Sequence, residues 1–241
     1  MQKDILYIVI PAYNEEENIA RVIEDWYPII EMYKGGGGEE LSRLVIIDDG
    51  STDKTYSIIK KYVKEKKQLI ALHKENSGHG ATLLYGYHYA LGHGADYIFQ
   101  TDSDGQTDPS EFHEFWEMRK EYEMVIGHRN KREDGISRII VTKVLKAVLY
   151  ICFRVSVIDA NTPYRLMQAA TLKECIAVIP NDFNLSNVLL SVIYEKRKYS
   201  VKYVPISFKP RQGGVNSINL KRIFSIGKKA VIDFMKINKA I

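Results

Sequence analysis

The chain has 241 residues, of which 45% are hydrophobic and 27% charged, and this is enough to bury one large core or one core with a small appendage. Its two cysteines argue against a disulfide framework and against a cysteine-based metal site. The net charge is +4, but residues 196–241 carry twelve Lys and Arg against one Asp, so this segment is +11 and residues 1–195 are −7.

The basic C-terminal segment predicts a surface for an anion, which can be a nucleic acid, a substrate phosphate or an anionic membrane. No aromatic-stacking or zinc-finger pattern accompanies the basic residues, so nucleic acid is not expected as a partner. Residues 218–241 are predicted to form a basic amphipathic helix. Such a helix either packs on the body of the protein or lies on a membrane.

Neither a signal peptide nor a bilayer span is predicted. Residues 1–4 lead directly into a strand-like run. The most apolar later segment, residues 144–158, is interrupted by Lys146 and Arg154 and is too short to span a bilayer. We therefore expect a cytoplasmic protein, with peripheral contact at the inner face of the membrane through the basic C-terminal segment.

Apolar runs alternate with helical patterns through residues 1–108. This alternation indicates right-handed βαβ units and a mostly parallel sheet. Residues 34–40, KGGGGEE, are predicted to be a flexible loop. The predicted strands are residues 5–11, 44–47, 69–73 and 97–101, and the predicted helices are residues 15–33, 53–66 and 80–91.

The alternation is less strict in residues 109–217, and no linker separates this half from the first. Helices are predicted over residues 109–121, 137–156 and 185–196, a strand over residues 124–127, and extended segments over residues 164–169 and 199–208. We expect a single α/β domain over residues 1–217, followed by the basic helix of residues 218–241.

Polar residues gather directly after each of the first four predicted strands. They are Tyr13, Asn14 and Glu15, then Asp48 and Asp49, then Asn76, and finally Asp102 and Asp104. In an open α/β sheet these positions line the crevice at the carboxyl edge, where ligands bind. Four such clusters predict one binding site at this edge.

The last of these clusters, Asp102-Ser103-Asp104, is the candidate metal site. Two carboxylates projecting from the end of a strand offer hard oxygen ligands, which suit Mg²⁺ or Mn²⁺ bound to substrate phosphates. The same pattern is also typical of a solvated turn that caps the following helix. Its position in line with three other polar strand ends favours the metal site.

These residues also carry a resemblance to a known family. The segments VIPAYNEEENI at 9–19, VIIDDGSTDKT at 45–55, NSGHGATLLYGYHYAL at 76–91 and DSD at 102–104 resemble, in order and spacing, the motifs of family 2 glycosyltransferases with the GT-A fold. The second half is similar to the polyprenyl-phosphate sugar transferases, such as the dolichyl-phosphate mannose synthases, in VIGHRN at 125–130, DANTPYRLM at 159–167 and VPISFKPRQGGVNSIN at 204–219.

The resemblance implies that residues 1–108 bind a nucleotide diphosphate sugar and that residues 109–217 bind the acceptor. Asp49 would accept a hydrogen bond from a base N–H, with Ile47 lining the same pocket, and Gly80 would let the main chain pass close to the donor. Asp104 would coordinate the metal, and Asp102 would contact the sugar or ribose side. The remaining implied donor-binding residues are Pro11, Ala12, Tyr13, Glu15, Ser103 and Gln106.

Three arginines match basic positions of the polyprenyl-phosphate branch. Arg129, Arg165 and Arg211 are implied to bind the donor diphosphate or an acceptor phosphate, because a guanidinium fits a phosphate well. We expect Arg129 and Arg211 to act in catalysis together with Asp102 and Asp104. His79, between two glycines, is expected to be a loop residue rather than a ligand.

The acceptor stays open between a lipid phosphate and a saccharide hydroxyl. A lipid phosphate is already ionised at pH 7 and can attack the anomeric carbon without a strong base, with inversion. A hydroxyl acceptor needs a carboxylate base, for which Asp159 and Asp182 are the candidates. A metal-dependent phosphohydrolase is the alternative from another class, because DSDGQT resembles the loop of aspartyl-phosphate phosphatases. The donor is a UDP- or GDP-sugar, with a slight preference for UDP.

Overall fold

The fold is built around one mixed β-sheet of seven strands. The computed structural model describes residues 4–37, 40–129, 136–209, 234–235 and 237–238. The strands of this sheet are β1 (Leu6–Ala12), β4 (Arg43–Asp48), β5 (Leu69–His73), β6 (Tyr97–Gln100), β7 (Met124–Arg129), β8 (Arg165–Gln168) and β9 (Val201–Ile206). A separate antiparallel pair is formed by β2 (Gly35–Gly37) and β3 (Glu40–Leu41).

The strand order in the sheet is β5-β4-β1-β6-β8-β7-β9. All neighbouring pairs are parallel except the two that involve β8, which is antiparallel to both β6 and β7. Six of these strands therefore point the same way, and their carboxyl ends share one edge of the sheet. The prediction of a mostly parallel α/β sheet is confirmed.

Helices cover both faces of the sheet. They are α1 (Ile19–Met32), α2 (Thr55–Val63), α3 (His79–Gly92), α4 (Phe112–Glu117), α5 (Ile136–Phe153), α6 (Ala169–Ile176) and α7 (Ser186–Lys196). None of the helices in the described ranges is long and apolar enough to cross a membrane.

Strand β1 shows how the sequence directs side chains into two cores. All seven of its residues are buried, as expected for a central parallel strand with helices on both sides. Leu6, Ile8 and Ile10 join the core under α1, α2 and α4, whereas Tyr7 and Val9 join the core under α3, α5, α6 and α7. The period of two along a strand produces this division.

Some element predictions were wrong. The glycine run predicted as a loop contributes to β2 and β3. The single helix predicted over residues 109–121 is a short α4 flanked by 3₁₀ turns at Pro109–Glu111 and Met118–Lys120. Helix α6 was not predicted, because it follows β8 without any turn signal. Apart from residues 234–235 and 237–238, the predicted helix of residues 218–241 lies outside the described residues.

Helix α3 lies against β1 and β4 at Gly86. A Cβ atom at this position would stand 2.6 Å from Val9 Cγ1 and 2.8 Å from Ile47 Cδ1. Such distances require the Val9 and Ile47 side chains, the helix or the strands to shift. The lack of a side chain at Gly86 therefore allows α3 to pack closely against the sheet.

We expect Gly86→Ala to lower the free energy of unfolding by about 1–2 kcal/mol, because the strain of overpacking exceeds the gain in helix propensity. Gly92→Ala in the same helix is the matched control, since no atom lies within 4 Å of its added Cβ. The control should be neutral or stabilising by up to about 1 kcal/mol. Urea unfolding of both variants provides the measurement, and equal stabilities would contradict this packing.

Candidate functional site

The loops that follow β1 and β4 are joined by hydrogen bonds at the carboxyl edge. Asn14 has a φ of 53°, and its Oδ1 accepts from the Thr52 N–H at 2.8 Å. The main-chain N–H groups of Asn14 and Glu15 donate to Ser51 Oγ and Thr55 Oγ1 at 2.9 and 2.8 Å. Two of the predicted polar clusters are thus brought together as one rigid rim.

Asp49 joins the loop after β4 to the loop after β5. Its Oδ1 accepts from the Ser77 N–H at 3.0 Å, its Oδ2 accepts from the Gly78 N–H at 2.9 Å, and Lys74 Nζ also donates to Oδ1. Burial raises the pKa of Asp49, but the hydrogen bonds from Lys74 and Ser77 outweigh burial, and the pKa is lowered. A base N–H would share this carboxylate with three donors from the chain, so the predicted base contact of Asp49 stays a prediction.

The third loop leads directly to His79, the first residue of α3. The His79 Nε2 atom lies 3.0 Å from Asp102 Oδ1, and half of the imidazole surface is exposed. Burial lowers the pKa of His79, but the carboxylates of Asp102, Asp49 and Asp104 raise it, and the net direction is upward. The His79 imidazole therefore lies beside the Asp-Ser-Asp segment, whose carboxylates favour its protonated form.

Sequence reasoning missed this role of His79. The residue was expected to be a loop residue, and the structure instead pairs it with Asp102 at the start of a helix. The available signal was a titratable residue between Gly78 and Gly80, after the third polar strand end. Distances between loops depend on how the strands pack, which a sequence pattern does not give.

The segment after Asp102 is a short loop held at both ends. The Thr101 and Thr107 hydroxyls hydrogen-bond to each other at 2.7 Å, and Asp104 Oδ1 accepts from the Gln106 N–H at 3.1 Å. Gln106 also exchanges hydrogen bonds with the main chain of Lys209, at 2.8 and 2.9 Å. The chain beyond β9 therefore runs alongside the candidate metal loop.

Asp102 and Asp104 fit a divalent cation that is shared with a substrate. Both offer carboxylate oxygens, the ligands that Mg²⁺ and Mn²⁺ prefer. Among the described residues, no group of three or more His, Cys, Asp or Glu side chains is arranged to hold a metal ion. A cation at this position would complete its coordination with substrate oxygens and water, as Mg²⁺ commonly does at phosphates.

Other predicted donor residues lie at the same edge. Pro11 and Ala12 end β1 and are buried, Tyr13 is 48% exposed, and Ser103 is 5% exposed. Glu15 is also buried, and its carboxylate accepts from the Asn18 side-chain amide at 2.7 Å. Tyr13 is thus the side chain of this group that is most open to a ligand.

Two of the predicted donor-binding residues have other contacts in the structure. Ile47 is completely buried in the core between β4 and α3, so it does not line an accessible pocket. A Cβ at Gly80 would stand 2.4 Å from the Asn184 carbonyl oxygen and 2.5 Å from the Phe183 carbonyl oxygen. Contact with the protein's own main chain therefore accounts for the glycine at position 80, and its predicted closeness to a donor stays a prediction.

Arg165 also requires correction. Its guanidinium is completely buried and donates to the carbonyl oxygens of Ala160, Thr162 and Asn187 at 2.8 to 3.2 Å, and to Ser191 Oγ at 3.4 Å. These bonds leave no exposed donor for a phosphate. Arg165 instead fixes the chain that enters β8 against α7, and its predicted contact with phosphate is not supported.

The remaining arginines are described only in part. Arg129 is the last residue of β7, where its main chain lies opposite Ile206 at the same edge of the sheet as Asp102. Arg211 lies outside the described residues, two positions beyond Lys209. Of the candidate bases, Asp159 is buried and Asp182 is exposed.

Comparison with known proteins assigns the family. The model of "Glycosyl transferase family 2" matches residues 7–168. The chain belongs to glycosyl transferase family 2. It is 26% identical over 226 residues to a UDP-N-acetylglucosamine–dolichyl-phosphate N-acetylglucosaminyltransferase of Methanococcus voltae, with 86% of each chain covered. It is 23% identical over 246 residues to a dolichyl-phosphate beta-glucosyltransferase of Trichomonas vaginalis, covering 95% of this glycosyltransferase and 73% of that protein.

Solved structures show the same fold. Glucosyl-3-phosphoglycerate synthase from Mycobacterium tuberculosis, in complex with Mn²⁺ and UDP-glucose, matches with a TM-score of 0.70 at 15% identity, over 98% of this chain and 79% of that chain. The expected GT-A fold is confirmed. The match extends through the second half, where the sequence motifs are weaker.

Asp108 and Lys209 form an ion pair of 2.8 Å that holds the loop after Asp104 against the chain beyond β9. The hydrogen bond from Lys209, with further bonds from Ser110, lowers the pKa of Asp108 to about 2. A carboxylate with a lowered pKa stabilises the fold above its unfolded pKa of about 4, and this contribution is lost as the pH falls towards 2.

We expect Asp108→Asn to lower the free energy of unfolding at pH 7 by about 1–2 kcal/mol, and to make its decrease between about pH 4 and pH 2 less steep than in the wild type. Asp25→Asn, which removes the exposed Asp25–Arg21 pair, should change stability by less than about 0.5 kcal/mol. Urea unfolding at a series of pH values measures both. An unchanged acid limb in Asp108→Asn would contradict the role of the ion pair.

Proposed function

We propose that this protein transfers a sugar from a nucleotide diphosphate sugar to a polyprenyl phosphate, with inversion and with the help of a divalent cation. The observation that carries the proposal is the Asp102-Ser103-Asp104 segment at the carboxyl edge, 3.0 Å from the His79 imidazole and in a chain of glycosyl transferase family 2. The acceptor class is supported by the relatives whose names specify dolichyl phosphate.

The donor occupies the rim formed by the loops after β1, β4 and β5. Tyr13 offers an exposed ring at this rim, and the Asp49 carboxylate, which already accepts from the Ser77 N–H, would accept a further hydrogen bond from a base N–H. A UDP-sugar is the preferred donor, because the M. voltae relative is named for one and the structural neighbour contains UDP-glucose.

Asp104 is the proposed metal ligand, and Asp102 the residue on the sugar side. A bound Mg²⁺ or Mn²⁺ supplies positive charge that stabilises the leaving nucleoside diphosphate. The Asp104 carboxylate is held in place by its hydrogen bond from the Gln106 N–H. His79 keeps the Asp102 carboxylate oriented towards the donor. Preorganised groups of this kind need no rearrangement as charge develops.

A polyprenyl phosphate needs no base from the enzyme, since its oxygen is ionised at pH 7. The bond from that oxygen to the anomeric carbon forms as the bond to the donor diphosphate breaks, and the nucleoside diphosphate leaves. Arg129 ends β7 at the edge of the sheet that carries Asp102, and Arg211 follows Lys209, whose main chain hydrogen-bonds to Gln106. We propose that these two arginines bind the acceptor or donor phosphates, to which guanidinium groups are well suited.

A screen of donors and acceptors tests the proposal. The protein is incubated with Mn²⁺, a UDP- or GDP-sugar and a short, water-soluble polyprenyl phosphate, and the products are identified by mass spectrometry and by the NMR coupling of the anomeric proton. We expect one donor to give a polyprenyl-phosphate sugar with inverted anomeric configuration. Transfer to a saccharide hydroxyl alone would replace the proposed acceptor. Release of inorganic phosphate from a phosphomonoester, without any transfer, would favour a phosphohydrolase and contradict the proposal.

A further inference from the structure

Helix α5 presents an apolar surface that no described element covers. Large hydrophobic side chains are exposed at Val144 (56%), Tyr150 (55%) and Ile151 (70%) on the helix, and at Ile158 (55%) just after it. Nearby in the fold, Phe234 packs on Phe153 with ring centroids 5.3 Å apart, and the next residue, Met235, is 60% exposed. Elsewhere in the described chain, exposed large hydrophobic residues lie on separate elements, as is normal for a soluble protein.

The exposed positions of α5 form two adjacent rows. Val144, Ala147 and Ile151 are spaced by three and four residues, so they share one row, which we name the apolar strip. Lys146 and Tyr150, four residues apart, form a second row beside it, and Arg154 lies one residue beyond the end of the helix; we name these three residues the basic row. The Arg154 guanidinium carbon lies 5.7 Å from the centre of the Tyr150 ring. An apolar strip bordered by Lys, Arg and Tyr is typical of a helix that lies in a membrane interface.

Charge identifies the partner. Residues 136–158 contain four Lys and Arg and no Asp or Glu, and residues 196–241 carry a net charge of +11. Phe234 brings part of that basic segment against α5. A second copy of the chain on this surface would bring Lys146 and Arg154 close to their own counterparts, because a twofold interface is self-complementary. An anionic phospholipid bilayer complements the basic row and accepts the apolar strip.

Topology directs this surface towards the site. Strand β7 ends at Arg129 at this edge of the sheet, and β8 begins at Arg165, which lies opposite Gln100 at the carboxyl end of β6. The strands that precede and follow α5 in the sequence therefore end and begin at the edge that carries Asp102. At 18 residues it is about 27 Å long, and its basic residues prevent it from spanning a bilayer. Contact of this helix with a bilayer would therefore run along the bilayer surface.

We propose that the apolar strip and the basic row of α5 form a docking surface for an anionic lipid bilayer, which brings the carboxyl edge to the depth of a lipid-borne phosphate. This proposal rests on the proposed function for its purpose, but not for its test. Docking through α5 is distinct from the contact expected through residues 218–241, because the hydrophobic residues that insert are on α5.

Ile151→Glu tests the proposal, with Met32→Glu on α1 as the matched control. Both side chains are 70% exposed, so neither substitution should disturb the core. Binding of the full chain to phosphatidylcholine vesicles with and without phosphatidylglycerol is measured by co-sedimentation. We expect the wild type to prefer anionic vesicles, Ile151→Glu to bind them about tenfold or more weakly, and Met32→Glu to bind like the wild type. Thermal unfolding checks that both variants are folded.

Several outcomes would overturn docking through α5. One is equal binding of Ile151→Glu and wild type, and another is an equal loss in both variants. A dimer that Ile151→Glu dissociates, with unchanged vesicle binding, would assign the surface to a second copy. A lower unfolding temperature in Ile151→Glu alone, again with unchanged vesicle binding, would assign the surface to another part of the chain.

Transfer to a short, water-soluble polyprenyl phosphate in the absence of vesicles separates docking from the proposed function. Wild type and Ile151→Glu should be equally active in this assay, because Ile151 is not among the proposed donor or acceptor residues. If the wild type is inactive here but binds anionic vesicles through Ile151, the proposed function fails and the docking surface stands. If Ile151→Glu alone loses activity, the role of α5 lies in catalysis, and docking is contradicted.

Discussion

The geometry of the site depends on the hydrogen bonds that the Asp49 carboxylate accepts. Both of its oxygens accept hydrogen bonds from the loop after β5, through the N–H groups of Ser77 and Gly78 and the Lys74 ammonium. The residue after Gly78 is His79, which begins α3 and contacts Asp102. One buried carboxylate thus fixes the loop that delivers the imidazole to the Asp-Ser-Asp segment. These hydrogen bonds outweigh the effect of burial and lower the pKa of Asp49.

The second half of the chain supports this site from two directions. Arg165 donates hydrogen bonds to the carbonyl groups of Ala160 and Thr162, which precede β8, and to the carbonyl group of Asn187 in α7. These bonds stabilise β8, the antiparallel strand next to β6. Lys209 holds the loop after Asp104 through its pairing with Gln106 and Asp108. Because Arg165 is not available as a phosphate ligand, Arg129 and Arg211 remain as the proposed ligands. Arg129 is the last residue of β7, and Arg211 follows β9 in the sequence. The proposed acceptor ligands and the proposed docking surface of α5 both belong to this second half of the chain.

The sequence predicted those features that depend on local patterns. Buried strand runs followed by Asp, Asn or Tyr gave the sheet, its carboxyl edge and the polar clusters, and the motifs gave the family. Features that depend on contacts between distant residues were not predictable in this way. Arg165 and Gly80 both match a ligand motif in the sequence. In the structure, however, the guanidinium of Arg165 is buried against α7, and the main chain of Phe183 and Asn184 lies where a side chain at position 80 would begin. The contact between His79 and Asp102 was not predicted for the same reason.

In the proposed reaction, the carboxyl edge binds a nucleoside diphosphate together with a cation held by Asp104. Calorimetric titration of UDP and of GDP, with and without Mn²⁺, tests it most directly. We predict that Mn²⁺ strengthens nucleotide binding by about tenfold or more in the wild type and in the surface control Asp25→Asn, and has no such effect in Asp104→Asn. An equal Mn²⁺ effect in Asp104→Asn and the wild type would contradict the account.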